Sequence, residues 1–414
     1  MTNASSARVN HVPAQDSARP KVAVLFHRFG PYHLARLEAA TCHLAIEGVE
    51  LTSTDRIYAW RSTNGIQSFP RHIISPDIDN ESTGQLVARI NKIFAALRPD
   101  VVAVHGWSHR SAIAVLDWCA RSEVATVLMS ESTAHDEIRR PWKEAVKRRV
   151  VSLFGSALVG GSPQRDYLVQ LGMPKERTFR GYDVIDNDYF CFHADKIRST
   201  ADNEQKRLGL PTHYFLASAR FVEKKNLFRL VNAYAQYRIL ANKKAWDLVL
   251  LGEGPLRTPL QERVAQLRLE EFVHMPGFKQ YEELPAYYGL AGAFVHASTS
   301  EQWGLVVNEA MAAGLPVLVS DRCGCATDLV APGRNGYTFD PWRPGELASL
   351  MLYVSSDECD RQKMAEASRA IIAQWTPLHF ASSLRRAVDT ALASPPPKAA
   401  LSDRLLLHAL MYRS

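Results

Sequence analysis

The amino-acid sequence predicts a parallel α/β protein. Strand-like apolar runs alternate with helical patterns from Lys21 onward, starting with the buried-strand block VAVLF at 22–26, and that alternation builds parallel sheets covered by helices. At 414 residues the chain is long enough for two or three domains, and 46% apolar with 22% charged residues suits a soluble globular protein with a substantial core.

Composition narrows the function classes. Residues 1–20 hold no apolar run of a secretory signal and no acid-free amphipathic pattern, so a disordered leader is expected there. Nothing later approaches membrane-spanning length. The six cysteines are too sparse and irregular for a disulfide framework, which points to a reducing cytoplasm. Cys323 and Cys325 are a close pair, but one intervening residue and no matching His or Cys pair is poor zinc spacing, so small buried thiols are expected. The net charge is +6 and is unevenly placed: residues 139–149, RRPWKEAVKRR, set six basic side chains against Glu144, a local sum of +5. With Pro141 as the first helical residue, Trp142, Val146, Val150, Leu153 and Phe154 fall along one side and Arg140, Lys143, Lys147 and Arg148 largely opposite. That face suits an anionic membrane surface, and equally an ordinary surface helix with its basic side in water. No aromatic-and-basic interleaving recurs, so nucleic acid is not an expected partner.

After the first strand, His27 to Pro31 forms a turn, with Gly30 permitting a tight bend and Pro31 presetting a helix from Tyr32 to about Ile46. Further units follow: helix 84–98, strand 101–104, helix 110–121, strand 124–129, the basic helix, strand 156–160 and helix 163–171. His105 closes the strand in PDVVAVHGWSH, at the carboxyl edge where open α/β sheets collect ligands, or else caps a neighbouring backbone group. His109 is a second candidate on the same loop. Ser130, Glu131 and Ser132 end the next strand, where they line an acceptor cleft or are simply loop polarity. Residues 191–211 turn charged and irregular and read as a linker.

The second half opens with strand 214–219 and SARFVEKKN before a helix at 227–240. Arg220 and Lys225 stand where a pyrophosphate would bridge them, a planar guanidinium fork beside a mobile ammonium. DLVLLGEGPLR then places Gly252 and Gly254 after a strand, Met275-Pro276-Gly277-Phe278 follows strand 271–274, and GRNGYTF at 333–339 is a tight turn into a last strand. Helices at 345–354, 357–373 and 377–393, a proline-rich break at 394–400 and an amphipathic tail complete the chain. Between strand 292–296 and strand 317–320 lies HASTSEQWGLVVNEAMAAGLPV, with Glu301 in a loop and Glu309 in a helix from Leu305 to Ala313 that stops at Gly314 before Pro316. On one straight helix their offset would leave the two carboxylates roughly 80° apart, so they converge only if the loop swings Glu301 forward. The open amides at the helix start near Gly304 and Leu305 make an anion site, and phosphate between two hydroxyl-bearing ends is the chemistry of a nucleotide sugar.

SEQWGLVVNEAMAAGLPVLVSD resembles the glutamate, seven-residue, glutamate signature of the family-4 retaining glycosyltransferases, the glycosyl transferases group 1. The resemblance covers roughly residues 21–393 and implies a GT-B fold: two Rossmann-like parallel-sheet domains, 21–195 and 196–376, facing a central cleft, with helix 377–393 crossing back to the first and a tail from 394 to 414. It also implies residue roles. Arg220 and Lys225 match the diphosphate clamp, Glu301 and the PDVVAVH histidine, His105, the donor-sugar contacts, Glu309 the ribose contact, and Met275 to Phe278 the base site. Gly30 stands where relatives often carry a glycine pair, and Gly252 and Gly254 allow close backbone approach. In RGYDVIDNDYF, Asp183 stands where an asparagine is usual, while Asp186 and Phe190 keep the spacing; Asp328 stands where relatives often carry glutamate.

The implied function is transfer of a sugar from a nucleotide-diphosphate donor to an acceptor hydroxyl with retention, in cell-surface polysaccharide or glycolipid synthesis. Glu301, His105, Arg220 and Lys225 are its expected catalytic set and a glycan or lipid-linked molecule its acceptor. No Asp-x-Asp pair sits at a predicted strand end, so neither metal nor cofactor is expected, the basic clamp and helix dipole taking that role. A sugar-nucleotide epimerase of the same fold and a non-catalytic nucleotide-binding scaffold share these features. Donor turnover without acceptor marks the first and absence of turnover the second.

Overall fold

The computed structural model describes residues 19–52, 67–394 and 399–412. Residues 1–18 of the expected leader and 395–398 of the proline-rich break lie outside them. Among the described residues the chain forms two parallel sheets. The first takes β1 (Lys21–Phe26), α1 (Pro31–Ala40), β2 (Ala45–Thr52), β3 (Arg71–Ser75), α2 (Thr83–Leu97), β4 (Val101–His105), α3 (Arg110–Ser122), β5 (Ala125–Ser130), α4 (Pro141–Val151), β6 (Ser156–Val159), α5 (Ser162–Gln170) and β7 (Thr178–Arg180). Its seven strands run β3-β2-β1-β4-β5-β6-β7. Two helices, α6 (Asn187–Arg198) and α7 (Ala201–Leu208), lead on to β8 (Tyr214–Ser218), α8 (Leu227–Ala241), β9 (Asp247–Leu251), α9 (Arg257–Gln266), β10 (Val273–Gly277), α10 (Leu284–Leu290), β11 (Ala293–His296), α11 (Leu305–Ala312), β12 (Val317–Ser320), α12 (Ala326–Leu329) and β13 (Gly336–Phe339). These six strands run β10-β9-β8-β11-β12-β13. Helices α13 (Pro344–Ser355), α14 (Arg361–Ile372), α15 (Pro377–Ala393) and α16 (Leu401–Met411) finish the chain.

Each sheet reverses its winding once, between β1 and β4 and between β8 and β11. Those are the crevices where an open α/β sheet takes ligands. The strands bury both faces, β1 as Val22, Ala23, Val24 and Leu25 at 0% exposure, as a sheet covered on two sides requires. Helix α15 returns to the first sheet, lying on α1 and on β5, β6 and β7. Thr376 caps its start by accepting from the His379 amide at 3.2 Å, and Ser156 Oγ donates to the Ala387 carbonyl at 2.7 Å.

Several boundaries differ from the sequence reading. The first helix ends at Ala40 rather than near Ile46, and Ala45–Thr52 forms a strand paired in parallel with β1. The apolar run continued at helical spacing, but its sheet partner is distant in sequence and periodicity cannot see it. Strands β3 and β7 are short and were missed for the same reason. The stretch read as an irregular linker is helical: Asp186 caps α6 by accepting from the Tyr189 amide at 3.0 Å, α7 ends at Gly209 with φ 64°, and α6 rests on α10 and α11. On α4 the expected outward row is broken. Of that row only Lys147 turns inward to bond, half-buried and donating to Glu144 at 3.1 Å and Tyr167 at 3.2 Å; outside the row, Arg139 donates to Tyr167 at 2.8 Å and Arg149 pairs with buried Asp403 of α16. The amphipathic tail docks on α3 and α4 with Leu407 at 0% exposure. Cys323 and Cys325 are buried free thiols.

Candidate active site between the two sheets

A cavity of about 520 Å³ opens between the carboxyl edges of both sheets. The first sheet supplies His27 to His33 after β1, Glu131 after β5 and Asp183 after β7; the second supplies Ser218 to Arg220 after β8, Lys224, Lys225, and Glu301 with Trp303 to Val306 and Glu309 after β11.

The clamp loop owes its shape to Asn226. This buried residue sits at φ 57°, a left-handed conformation that asparagine tolerates, and its amide donates to the carbonyls of Ala297 at 3.0 Å and Pro341 at 2.9 Å. Lys225, one residue earlier, is thereby held toward the cavity and pairs with Glu301. Glu301 is also 3.3 Å from Ser298 Oγ and 3.4 Å from His296 Nε2. Burial pushes its pKa up, but hydrogen bonding from His296 and the charge of Lys225 outweigh that and hold the carboxylate well below the usual range. Glu301 is therefore anionic at any working pH.

Glu309 differs in kind. It is 3% exposed on α11; one oxygen accepts from the Tyr32 hydroxyl of the first domain at 2.7 Å, and the other is buried with no hydrogen-bond partner. Burial raises its pKa from 4.5 to about 7, against hydrogen bonding from Tyr32 and Tyr288. A buried carboxylate oxygen with an open lone pair beside a cavity is suited to a ligand hydroxyl. Gly304, at φ 107°, begins α11 and aims its first amides at the same space, which Leu305 and Val306 line. The loop offset that the Glu301 and Glu309 spacing demands is thus present.

Of the residues expected from sequence, Gly30, Glu131, Arg220, Lys225, Glu301, Gly304, Leu305 and Glu309 line the cavity. His105, Ser130, Gly252, Gly254, Met275 and Phe278 do not. His105 is half-buried at the end of β4 with Nδ1 unpartnered; burial, then the neighbouring His109 and His27, lower its pKa to about 3. His109 caps α3, accepting from the Ser111 amide at 3.4 Å. Ser130 is buried and accepts from the Ser132 amide at 3.2 Å. Gly252 and Gly254 lie under the clamp: a Cβ on Gly252 would stand 1.8 Å from the Ala219 carbonyl oxygen, and one on Gly254 2.6 Å from that of Phe221. They let the β9 loop press against the strand end that carries Arg220. Met275 gives its carbonyl to Arg257 at 2.9 Å.

The sequence reading missed His27, Tyr32, His33, Lys224 and Asp183. His27 was recoverable, as the first residue past a buried strand. Tyr32 carried no local signal, since only the closed arrangement of the two sheets brings it to Glu309, and Asp183 was marked only as standing where an asparagine is usual, with no site role drawn from it. Asp328 also acts across domains: its carboxylate accepts from the Ser162 amide and hydroxyl, both at 2.7 Å, at the start of α5.

Residues 199–371 match the family model described as glycosyl transferases group 1. The chain is 31% identical over 39% of its length to the alpha-monoglucosyldiacylglycerol synthase of Acholeplasma laidlawii, and 24% identical over 57% to the alpha-D-kanosaminyltransferase of Streptomyces kanamyceticus. These matches span 39% and 60% of those relatives. The crystal structure of HepE from Anabaena with UDP and glucose superposes at TM-score 0.69 with 18% identity, covering 88% of this chain and 98% of that one. Residues 199–371 are thus similar to the glycosyl transferases group 1, and the two parallel-sheet domains have the GT-B fold.

Proposed function

We propose that the protein transfers a sugar from a nucleotide-diphosphate donor to an acceptor hydroxyl with retention at the anomeric carbon, in cell-surface polysaccharide or glycolipid synthesis. The observation that carries this reading is the convergence of Arg220, Lys225, Glu301, Glu309 and the α11 amino end on one cavity. Arg220, Lys225 and those amides stabilise the charge that grows on the departing diphosphate, so the scheme uses no metal. The open oxygen of Glu309 takes a ribose hydroxyl. Glu301, fixed as an anion, and His27, with His105 behind it, orient the sugar. The acceptor proton leaves through a donor phosphate oxygen. Similarity to HepE, which was solved with UDP and glucose, and to a diacylglycerol glucosyl synthase supports a UDP-sugar donor and a glycan or lipid-linked acceptor.

Calorimetry with UDP-, GDP- and ADP-sugars tests this. One of the three should bind, and Lys225→Ala and Glu309→Ala should each weaken it at least tenfold. Unchanged affinity in both variants, or turnover of donor to an epimer without acceptor, would overturn the reading.

The protein is further proposed to work at an anionic membrane surface on the cytoplasmic side. Among the described residues no helix is long and apolar enough to cross a membrane. On α4, however, Arg140 and Arg148 are exposed and unpaired beside Trp142 at 54% exposure, with Ile138 just before it at 87%. Flotation with vesicles containing phosphatidylglycerol should carry the protein, and Arg140→Glu with Arg148→Glu should release it. Equal flotation with neutral vesicles would count against this.

A further inference from the structure

Opposite the clamp, the first domain places two carboxyl groups on the same cavity wall, Glu131 at the end of β5 and Asp183 after β7. Asp183 is 1% exposed, and apart from the neighbouring Glu131 its carboxylate oxygens have no hydrogen-bond partner. Its nearest cation is Arg36, also 1% exposed, whose Nη2 stays 3.8 Å from Asp183 Oδ1 while its Nε donates to the Val184 carbonyl at 2.9 Å. Arg36 thus balances the charge without occupying the lone pairs. The carboxylate is also closely packed: a Cβ on Gly160 would stand 2.7 Å from Asp183 Oδ2 and 3.0 Å from the Trp303 ring, so a side chain there would displace one of them. Its main-chain carbonyl accepts from Asn308 of α11 at 3.1 Å, one residue before Glu309. The acid pair and the nucleotide-facing helix are therefore positioned together.

Burial and the neighbouring Glu131 raise Asp183 well above its ordinary value, and burial raises Glu131 as well, so the two resist being charged together. A carboxylate beside a carboxylic acid both accepts and donates hydrogen bonds. With Arg36 behind it, the wall is close to neutral, and a phosphate or carboxylate brought against it would meet a carboxylate in a low-dielectric pocket. Glu301 and Lys224 face Glu131 from the second domain and act on it in opposite directions.

We propose that Glu131 and Asp183 seat the acceptor by binding adjacent hydroxyls of an uncharged sugar or polyol, and that they exclude an acceptor carrying an anionic group next to its reacting hydroxyl. This rests on the glycosyl-transfer reading and specifies its second substrate. The seat binds and orients; the proton of the reacting hydroxyl still leaves on the donor phosphate.

The test uses the full chain with the sugar nucleotide that calorimetry selects. Release of nucleoside diphosphate is followed against glucose, galactose, mannose, glycerol and the corresponding phosphates. At least one uncharged member should accept sugar, and the phosphates should be at least tenfold poorer in kcat/KM. Asp183→Asn and Glu131→Gln should each raise acceptor KM tenfold or more with donor affinity within twofold of the parent. The Asp183→Asn melting temperature should not fall, since an isosteric amide removes a buried acid. Preference for a phosphorylated acceptor, unchanged acceptor KM in both variants, or failure of every uncharged acceptor overturns the proposal. Absence of donor binding in the parent sinks the glycosyl-transfer reading instead.

Discussion

Two glutamates eight positions apart end in opposite electrostatic states, and the cause is what each touches. Glu301 has a cation and an imidazole within reach, whereas Glu309 has a tyrosine hydroxyl and apolar burial. The sequence named both residues and gave no hint of the difference. Since burial raises Glu309 from 4.5 to about 7 in the folded protein, the native state keeps this proton longer than the unfolded chain. Its contribution to stability is then fully present below pH 4.5 and lost as pH rises through 7. Glu309→Gln cannot ionise, so its stability relative to the parent should grow by up to ~3 kcal/mol between pH 5 and pH 8. Urea unfolding at the two pH values measures this, and a difference that does not change with pH would refute it.

At the scale of elements, the site depends on loops braced by distant loops. The strand-end segment with Arg220 is held by the β9 turn, where the Phe221 amide donates to the Glu253 carbonyl at 2.8 Å and the Gly252 amide to the Gly277 carbonyl at 3.1 Å. Gly252→Ala adds a methyl 1.8 Å from the Ala219 carbonyl at φ 133°, so the turn must withdraw. A stability loss of about 2 kcal/mol or more is expected, with donor affinity falling at least tenfold as Arg220 shifts. Unaltered donor affinity in a folded Gly252→Ala protein would show that the brace does not position the arginine. The glycines were legible in the sequence as points of close approach; what approaches them was not.

For the whole molecule, closure of the two sheets over the cavity is the main structural event. The Tyr32 hydroxyl on Glu309, Asp328 on the start of α5 and the Gln164 side chain on the Gln302 carbonyl join the domains around the site. A ribose hydroxyl at Glu309 would share its carboxylate with Tyr32, so ligand and latch act on one group. Tyr32→Phe removes the cross-domain hydrogen bond of a buried carboxyl group and leaves it Tyr288 alone, at a cost of about 1–3 kcal/mol to the closed form. Small-angle scattering should then show a larger radius of gyration for the ligand-free variant that contracts on adding the donor, and identical radii in variant and parent would dismiss the latch.

The sequence by itself determined the parallel α/β class, the positions of most strands and helices in the second half, and the side chains of the clamp, because buried strand runs, caps and glycine turns are local properties. It misplaced the first helix end and the linker, whose structure depends on partners far along the chain. Only the tertiary structure decided that Tyr32 reaches Glu309, that His27 rather than His105 lines the cavity, and that Asp183 joins Glu131. The first of these spans two independently built sheets and the others bring together separate strand ends of one sheet, and no spacing along one strand or helix encodes either arrangement.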